Sequence, residues 1–214
     1  MGLQNYEGGN WITIFDGKFT QNAKEGEIGA ISRVNKKGNT VWEKYYDSFT
    51  AKLVGIKTLD GAYGKSWIFD FQDGGEVYHL RLSYSSGYAQ AFLKMLPNID
   101  IKKELRMQPQ ASIVDGKPKS ALFVNQDGKP VKHAYTKENS NGLPQWEKIT
   151  LKGVETWDNS AQLDFLYNMA MTTIVPKLDS PIASTDTATG LTEVDFAAHG
   201  TSDAQIDMDV DEAF

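Results

Sequence analysis

The chain offers several side-chain sets that could do chemistry, and most of them fail on spacing. Gly61-Ala62-Tyr63-Gly64-Lys65-Ser66 ends like a phosphate loop, but Leu59 stands where the first glycine of that pattern belongs. A phosphate loop also needs a helix after the serine, whose first amides hold the phosphate, and Trp67-Ile68-Phe69-Asp70-Phe71 reads as a strand. Asp207, Asp209 and Asp211 have the alternation of a calcium loop, but Glu212 occupies the glycine position and the sequence stops before the closing glutamate. The three histidines, His79, His133 and His199, share no zinc-ligand spacing. There is no cysteine, so disulfides, thiolate metal sites and cysteine nucleophiles are excluded. No Gly-x-Ser-x-Gly elbow is present. Asp70, Asp73 and Glu76 could hold magnesium for a nuclease, although acids flanking a turn are more often simply solvated.

A different pattern survives, aromatic rings interleaved with bases. Arg33, Lys36, Lys37, Trp42, Lys44, Tyr45 and Tyr46 fall within one short stretch. On a strand, Trp42, Lys44 and Tyr46 share a face, because side chains alternate. A lysine between two rings makes a poor core face and a good stacking face. Bases stack on rings while Lys and Arg follow the phosphates, without reading sequence. Lys129, Lys132, His133, Tyr135 and Lys137 form a second such stretch. The competing reading packs Trp42 or Tyr46 into the core with Lys44 reaching past them to water. Trp67, Phe69 and Phe71 read as core, and Arg81, alternating with Leu80 and Leu82, is expected to face outward.

These residues need a β-rich scaffold. Strand-like runs are expected at 11–15, 18–20, 28–34, 40–46 and 49–59. A hairpin is expected around Asp73-Gly74-Gly75, joining 65–72 to 77–83. The period then changes. Ser86 can cap a helix over 87–96 that Pro97 ends, with Tyr88, Ala91, Phe92 and Met95 on one side. Strands resume at 99–107, 111–114, 120–125, 130–135 and 146–151, with a hairpin at Gln126-Asp127-Gly128-Lys129. Asp158 can cap a second helix over 160–175, striped by Leu163, Leu166, Tyr167, Ala170 and Ile174 and stopped by Pro176. Many strands with one intervening helix predict a mainly β body, an OB-fold-like barrel with one or two helices. An OB barrel places its helix between the third and fourth of five strands, so the early runs require an extra hairpin.

The charge divides the chain in two. Of 22 bases and 28 acids, net −6, nine acids lie between Asp179 and Phe214, where no Lys or Arg occurs. Residues 1–178 are left at +3. The 179–214 segment, rich in Ser, Thr, Ala, Gly and Asp, cannot bury enough apolar surface to offset its ordering entropy and is expected to be a disordered tail. It closes on Asp207-Met208-Asp209-Val210-Asp211-Glu212-Ala213-Phe214, an acidic run with an aromatic anchor. A mildly basic body with an acidic tether suits a nucleic-acid-binding domain. No apolar run approaches the ~18 residues of a membrane span, and the first residues lack an apolar signal core. A soluble, cytoplasmic protein is expected.

In layout the chain resembles phage and bacterial single-stranded DNA-binding proteins. The resemblance covers the β-rich body, the aromatic-basic stretches, the polar linker and the acidic tip ending in Phe214. The blocks Ile28-Gly29-Ala30-Ile31-Ser32-Arg33-Val34 and Ser85-Ser86-Gly87-Tyr88-Ala89-Gln90-Ala91-Phe92-Leu93-Lys94-Met95 also look like phage members. Bacterial members usually carry proline before the final phenylalanine, where Ala213 stands here. The resemblance implies an OB fold, no enzymatic activity, no cofactor, and a role in replication, recombination and repair, in the host cytoplasm if phage-encoded. The expected DNA contacts are Arg33, Lys36, Lys37, Trp42, Lys44, Tyr45, Tyr46, Arg81, Lys132, His133 and Tyr135. Asp207, Asp209, Asp211, Glu212 and Phe214 are expected to dock replication or recombination proteins. The alternatives are a carbohydrate-binding β-sandwich using exposed tryptophans, and the metal-dependent nuclease.

Overall fold

Trp67, Phe69 and Phe71 alternate along one strand and all three are fully buried, so the core lies on the side of the sheet they share. The computed structural model describes residues 9–35, 38–62, 64–114, 116–151 and 153–179. Their strands are β1 (Asn10–Phe15), β2 (Lys18–Ala23), β3 (Ile31–Val34), β4 (Thr40–Tyr46), β5 (Phe49–Gly61), β6 (Gly64–Asp73), β7 (Glu76–Ser83), β8 (Glu104–Val114), β9 (Lys117–Gln126), β10 (Lys129–Pro130), β11 (Glu147–Leu151) and β12 (Val154–Asp158). The helices are α1 (Gly87–Met95) and α2 (Ser160–Met169), the latter continued by a π-helical segment, Ala170–Ile174. No described helix is long and apolar enough to cross a membrane.

The protein is mainly β with two helices, as expected, but its main sheet does not close into an OB-type barrel. Ten strands lie in the order β10-β9-β8-β5-β6-β7-β1-β2-β4-β3, and β11 pairs only with β12. Every pair is antiparallel except β1 with β7, which run parallel from Asn10 opposite Tyr78 to Ile12 opposite Leu80. That pair places β1 inside the sheet and carries β2, β4 and β3 beyond it as an added arm. The first helix therefore follows seven strands instead of about four.

Local chemistry sets the boundaries. Gly74-Gly75 supplies the two-residue turn between Asp73 and Glu76, which pair across the hairpin. The Ser86 side chain accepts a hydrogen bond from the Ala89 amide and starts α1. Pro97 sits in the 3-10 turn that follows α1. Asp158 accepts from the Ser160 amide at 2.9 Å at the start of α2. The strand expected at 130–135 ends at Pro130.

The helices cover the face that carries Phe69 and Phe71. Phe92 of α1 stands edge-on to Phe69, with ring centres 5.0 Å apart. Tyr84 lies flat on Trp67 at 5.3 Å, and the Lys65 ammonium sits 4.5 Å from the Tyr84 ring and 4.4 Å from that of Tyr167 in α2. One cation thus pins the second helix against the core.

Lys94 of α1 is buried, and burial pushes its pKa down to about 8. The folded state binds this proton less tightly than the unfolded chain. Stability contributed here therefore rises with pH from about 8 to the ordinary lysine value, and below that window the buried charge is a cost. Lys94→Met is expected to raise the unfolding free energy at pH 7 by about 1–3 kcal/mol and to remove the rise above pH 8. Urea unfolding at pH 7 and pH 9.5 checks it, and a loss of stability at pH 7 would show that the ammonium is held by interactions stronger than its desolvation.

Candidate nucleic-acid interface

The register of β2, β3 and β4 decides where the rings and bases of the first stretch point. Tyr46, Lys44 and Trp42 stand opposite Phe19, Gln21 and Ala23, so the three share a face, as their spacing predicts. That face continues the core side of the sheet past buried Phe19. Trp42 and Lys44 are half-buried, and Tyr46 is 42% exposed. The Lys44 ammonium is paired with Glu27, in the connection between β2 and β3. The hydrogen bond between them raises the lysine pKa and lowers the carboxyl pKa. The outcome is two accessible rings with a compensated cation between them.

Arg33 and Tyr45 lie on the opposite face. The Arg33 guanidinium donates two bonds of 2.7 Å to Glu43, and the Tyr45 hydroxyl donates a third of 2.8 Å. Arg33 also lies over the Phe15 ring, 4.6 Å from its centre. Glu43 has no contact with solvent. Its hydrogen bond raises the Arg33 pKa, while burial and then the same carboxylate raise that of Tyr45. Both residues thus serve an internal network first. Lys36 and Lys37 lie outside the described residues.

Arg81 shares the outer face with residues whose placement the sequence left open. It faces outward, as its alternation with Leu80 and Leu82 predicts, but is half-buried there, and its Nε donates to Ser66 Oγ at 3.1 Å. Burial lowers its pKa, but a guanidinium keeps its proton at any ordinary pH. In the neighbouring row the Trp11 ring lies 4.8 Å from that of His79. His79 Nδ1 meets Asp70 Oδ1 at 2.6 Å, and Lys57 donates to Asp70 Oδ2 at 3.0 Å. Burial alone would raise the Asp70 pKa, yet the bonds from His79 and Lys57 outweigh it and hold the carboxyl below its usual value. A side chain at Gly55 would place its Cβ 2.9 Å from the Asp70 carboxylate, so glycine is required there. The alternation of Trp11, Thr13 and Phe15 with Ile12 and Ile14 was the available signal for this face.

The second predicted stretch does not assemble as expected. Tyr135 is buried against Phe165, edge to face at 5.6 Å, and belongs to the core. The chain leaves the sheet after Pro130, so strand alternation no longer applies at 135. His133 is half-buried, and burial together with nearby Lys94 lowers its pKa. Lys132 is exposed, and its carbonyl accepts from Asn98. In strand order β10 and β4 stand at and near opposite ends of the sheet.

Other candidates resolve simply. Gly61 and Gly64 pair across the turn joining β5 to β6, so no helix follows the Gly-Lys-Ser sequence. Asp70 is engaged by His79 and Lys57 while Asp73 and Glu76 face each other at a turn, and among the described residues no group of three His, Asp or Glu could hold a metal ion. Asp207, Asp209, Asp211, Glu212 and Phe214 lie outside the described residues. The last described residue, Asp179, pairs with Lys52 of β5 at 2.7 Å. A scan against protein-family models finds no match, and searches of curated proteins and of solved structures find none either.

Proposed function

We propose that the protein is a sequence-tolerant single-stranded DNA-binding protein acting in replication, recombination and repair. The observation that carries this reading is the alignment of Trp42, Lys44 and Tyr46 on one face of β4, with both rings reachable from solvent. Bases would stack on the rings, and phosphates would displace Glu27 from Lys44. Stacking uses the π-face that every base has, so sequence matters little. The acidic segment after Lys177, ending in Phe214, would recruit replication or recombination proteins, its acids steering and its ring anchoring. In line with the resemblance, the protein would be phage-encoded, work in the host cytoplasm and need no cofactor.

Titration of tryptophan fluorescence with oligo-dT and with duplex, at two salt concentrations, tests this. Tighter binding to the single strand is expected, with a log–log salt slope of about −0.7 per phosphate neutralised. The slope should fall short of the number of bases at the site, because Lys44 exchanges a carboxylate for a phosphate and releases fewer ions. Trp42→Ala should cost about 1–3 kcal/mol per stacked base. Equal affinity for duplex, or a slope of zero, overturns the reading.

A further inference from the structure

β8 and β9 run past the sheet that supports them. β5 pairs with β8 only from Lys52 opposite Glu104 to Phe49 opposite Met107. Beyond that point β8 and β9 pair with each other as far as Val114 opposite Lys117. A lone two-stranded ribbon is marginal in water, and this one is propped from below. The Tyr88 hydroxyl of α1 donates to the Gln110 carbonyl at 2.9 Å. The turn at Gly17 packs so tightly that a Cβ there would lie 2.5 Å from the Ala111 nitrogen.

The two faces of the ribbon differ. Met107, Pro109, Leu122 and Val124 face inward and are buried. The outer face carries, from foot to tip, Arg106 opposite Asn125, Gln108 opposite Phe123, Gln110 opposite Ala121, Ser112 opposite Lys119, and Val114 opposite Lys117. Phe123 leaves 50% of its surface in water in the middle of a strand, flanked by two buried aliphatic residues. Core packing does not account for an aromatic ring so placed. Between Leu105 and Asn125 the sequence holds one carboxylate, Asp115, against Arg106, Lys117 and Lys119. The carboxylate just before this stretch, Glu104, stands opposite Lys52.

We propose that this outer face is a second contact surface for single-stranded DNA, with one base stacked on Phe123 and the backbone followed by Arg106 on one side and Lys119 on the other. The inference rests on the single-strand reading above. Arg106 lies across the ribbon and two residues toward the foot from Phe123; Lys119 lies about 13 Å toward the tip, at the usual rise of a strand. A strand laid along the ribbon therefore meets cation, ring and cation in turn. The amides of Gln108, Gln110 and Asn125 add donors and acceptors without charge. A lone ring among amides and bases matches a polyanion with stackable rings better than an apolar protein surface.

The test uses the full chain and fluorescein-labelled oligo-dT, comparing wild type, Phe123→Ala, Phe123→Tyr and Arg106→Ser by anisotropy, with urea unfolding and sedimentation on each. Phe123→Ala is expected to weaken binding about 5- to 150-fold with unfolding unchanged. Phe123→Tyr should restore it, and Arg106→Ser should weaken binding and flatten the salt slope. Wild type that binds while Phe123→Ala binds equally well overturns this proposal alone. Wild type that fails to bind overturns the single-strand reading together with it. A Phe123→Ala variant that dissociates a dimer but keeps its DNA affinity makes the face a contact between copies, and also overturns the proposal.

Discussion

Glu43→Ala is expected to lower the unfolding free energy by about 3 kcal/mol, measured by urea denaturation at pH 7. Its carboxylate is sealed from water and accepts three hydrogen bonds, two from Arg33 and one from Tyr45. Removing one member of a buried ion pair leaves the other charge uncompensated, at a cost of roughly 3–5 kcal/mol. The lower end applies, because the Arg33 side chain keeps 19% of its surface in water and can turn outward. Arg33→Ala should cost as much or more, since it leaves the carboxylate behind. If both single variants are within about 0.5 kcal/mol of wild type, the range of ordinary surface changes, the network contributes nothing to holding β3 and β4 to β1.

Phe92→Ala is expected to be the more damaging change, at about 3–5 kcal/mol. The ring is fully buried, edge-on to Phe69 at 5.0 Å and tilted against Phe71 at 6.0 Å. Deleting it removes apolar burial and leaves a void that neighbours on a rigid central strand cannot fill. Because α1 also holds the ribbon through Tyr88, amide exchange should quicken in β8 beyond Met107 as well as in the helix. A shift of the urea midpoint without a change in slope would mark lost packing. A loss under 1 kcal/mol would mean that α1 is not part of the core.

The sequence announced the parts of this fold that depend on near neighbours. Asp73-Gly74-Gly75 marked its hairpin because few residues take that turn, and Ser86 marked α1 because its hydroxyl satisfies an open amide. The aromatic alternation of Trp67, Phe69 and Phe71 identified the core. What depends on distant partners was hidden. Nothing near Trp11 says that it will lie beside His79 through a parallel pair. The polar run at 154–158 forms β12 because Glu147–Leu151 lies opposite, not because it alternates. Tyr135 kept a strand-like context although the chain had left the sheet. At the candidate site, spacing correctly put Trp42, Lys44 and Tyr46 together, but not the carboxylates that meet Lys44 and Arg33. Phe123 was unreadable because Leu122, Phe123 and Val124 are all apolar, and such a run does not say which side chain faces water.

The parallel pair of β1 and β7 also sets a clock on biosynthesis. Asn10 meets Tyr78, and β1 cannot take its place until β7 has left the ribosome. At about 5–20 residues per second, β1 waits roughly 3–14 s for its partner. During that interval β1, β2, β4 and β3 form an antiparallel group whose apolar Ile12, Ile14 and Phe19 lack the strands and helices that finally cover them. Nascent chains stalled before residue 76 should therefore be bound by chaperones and cut readily by protease, and those stalled well beyond Ser83 should become resistant in one step.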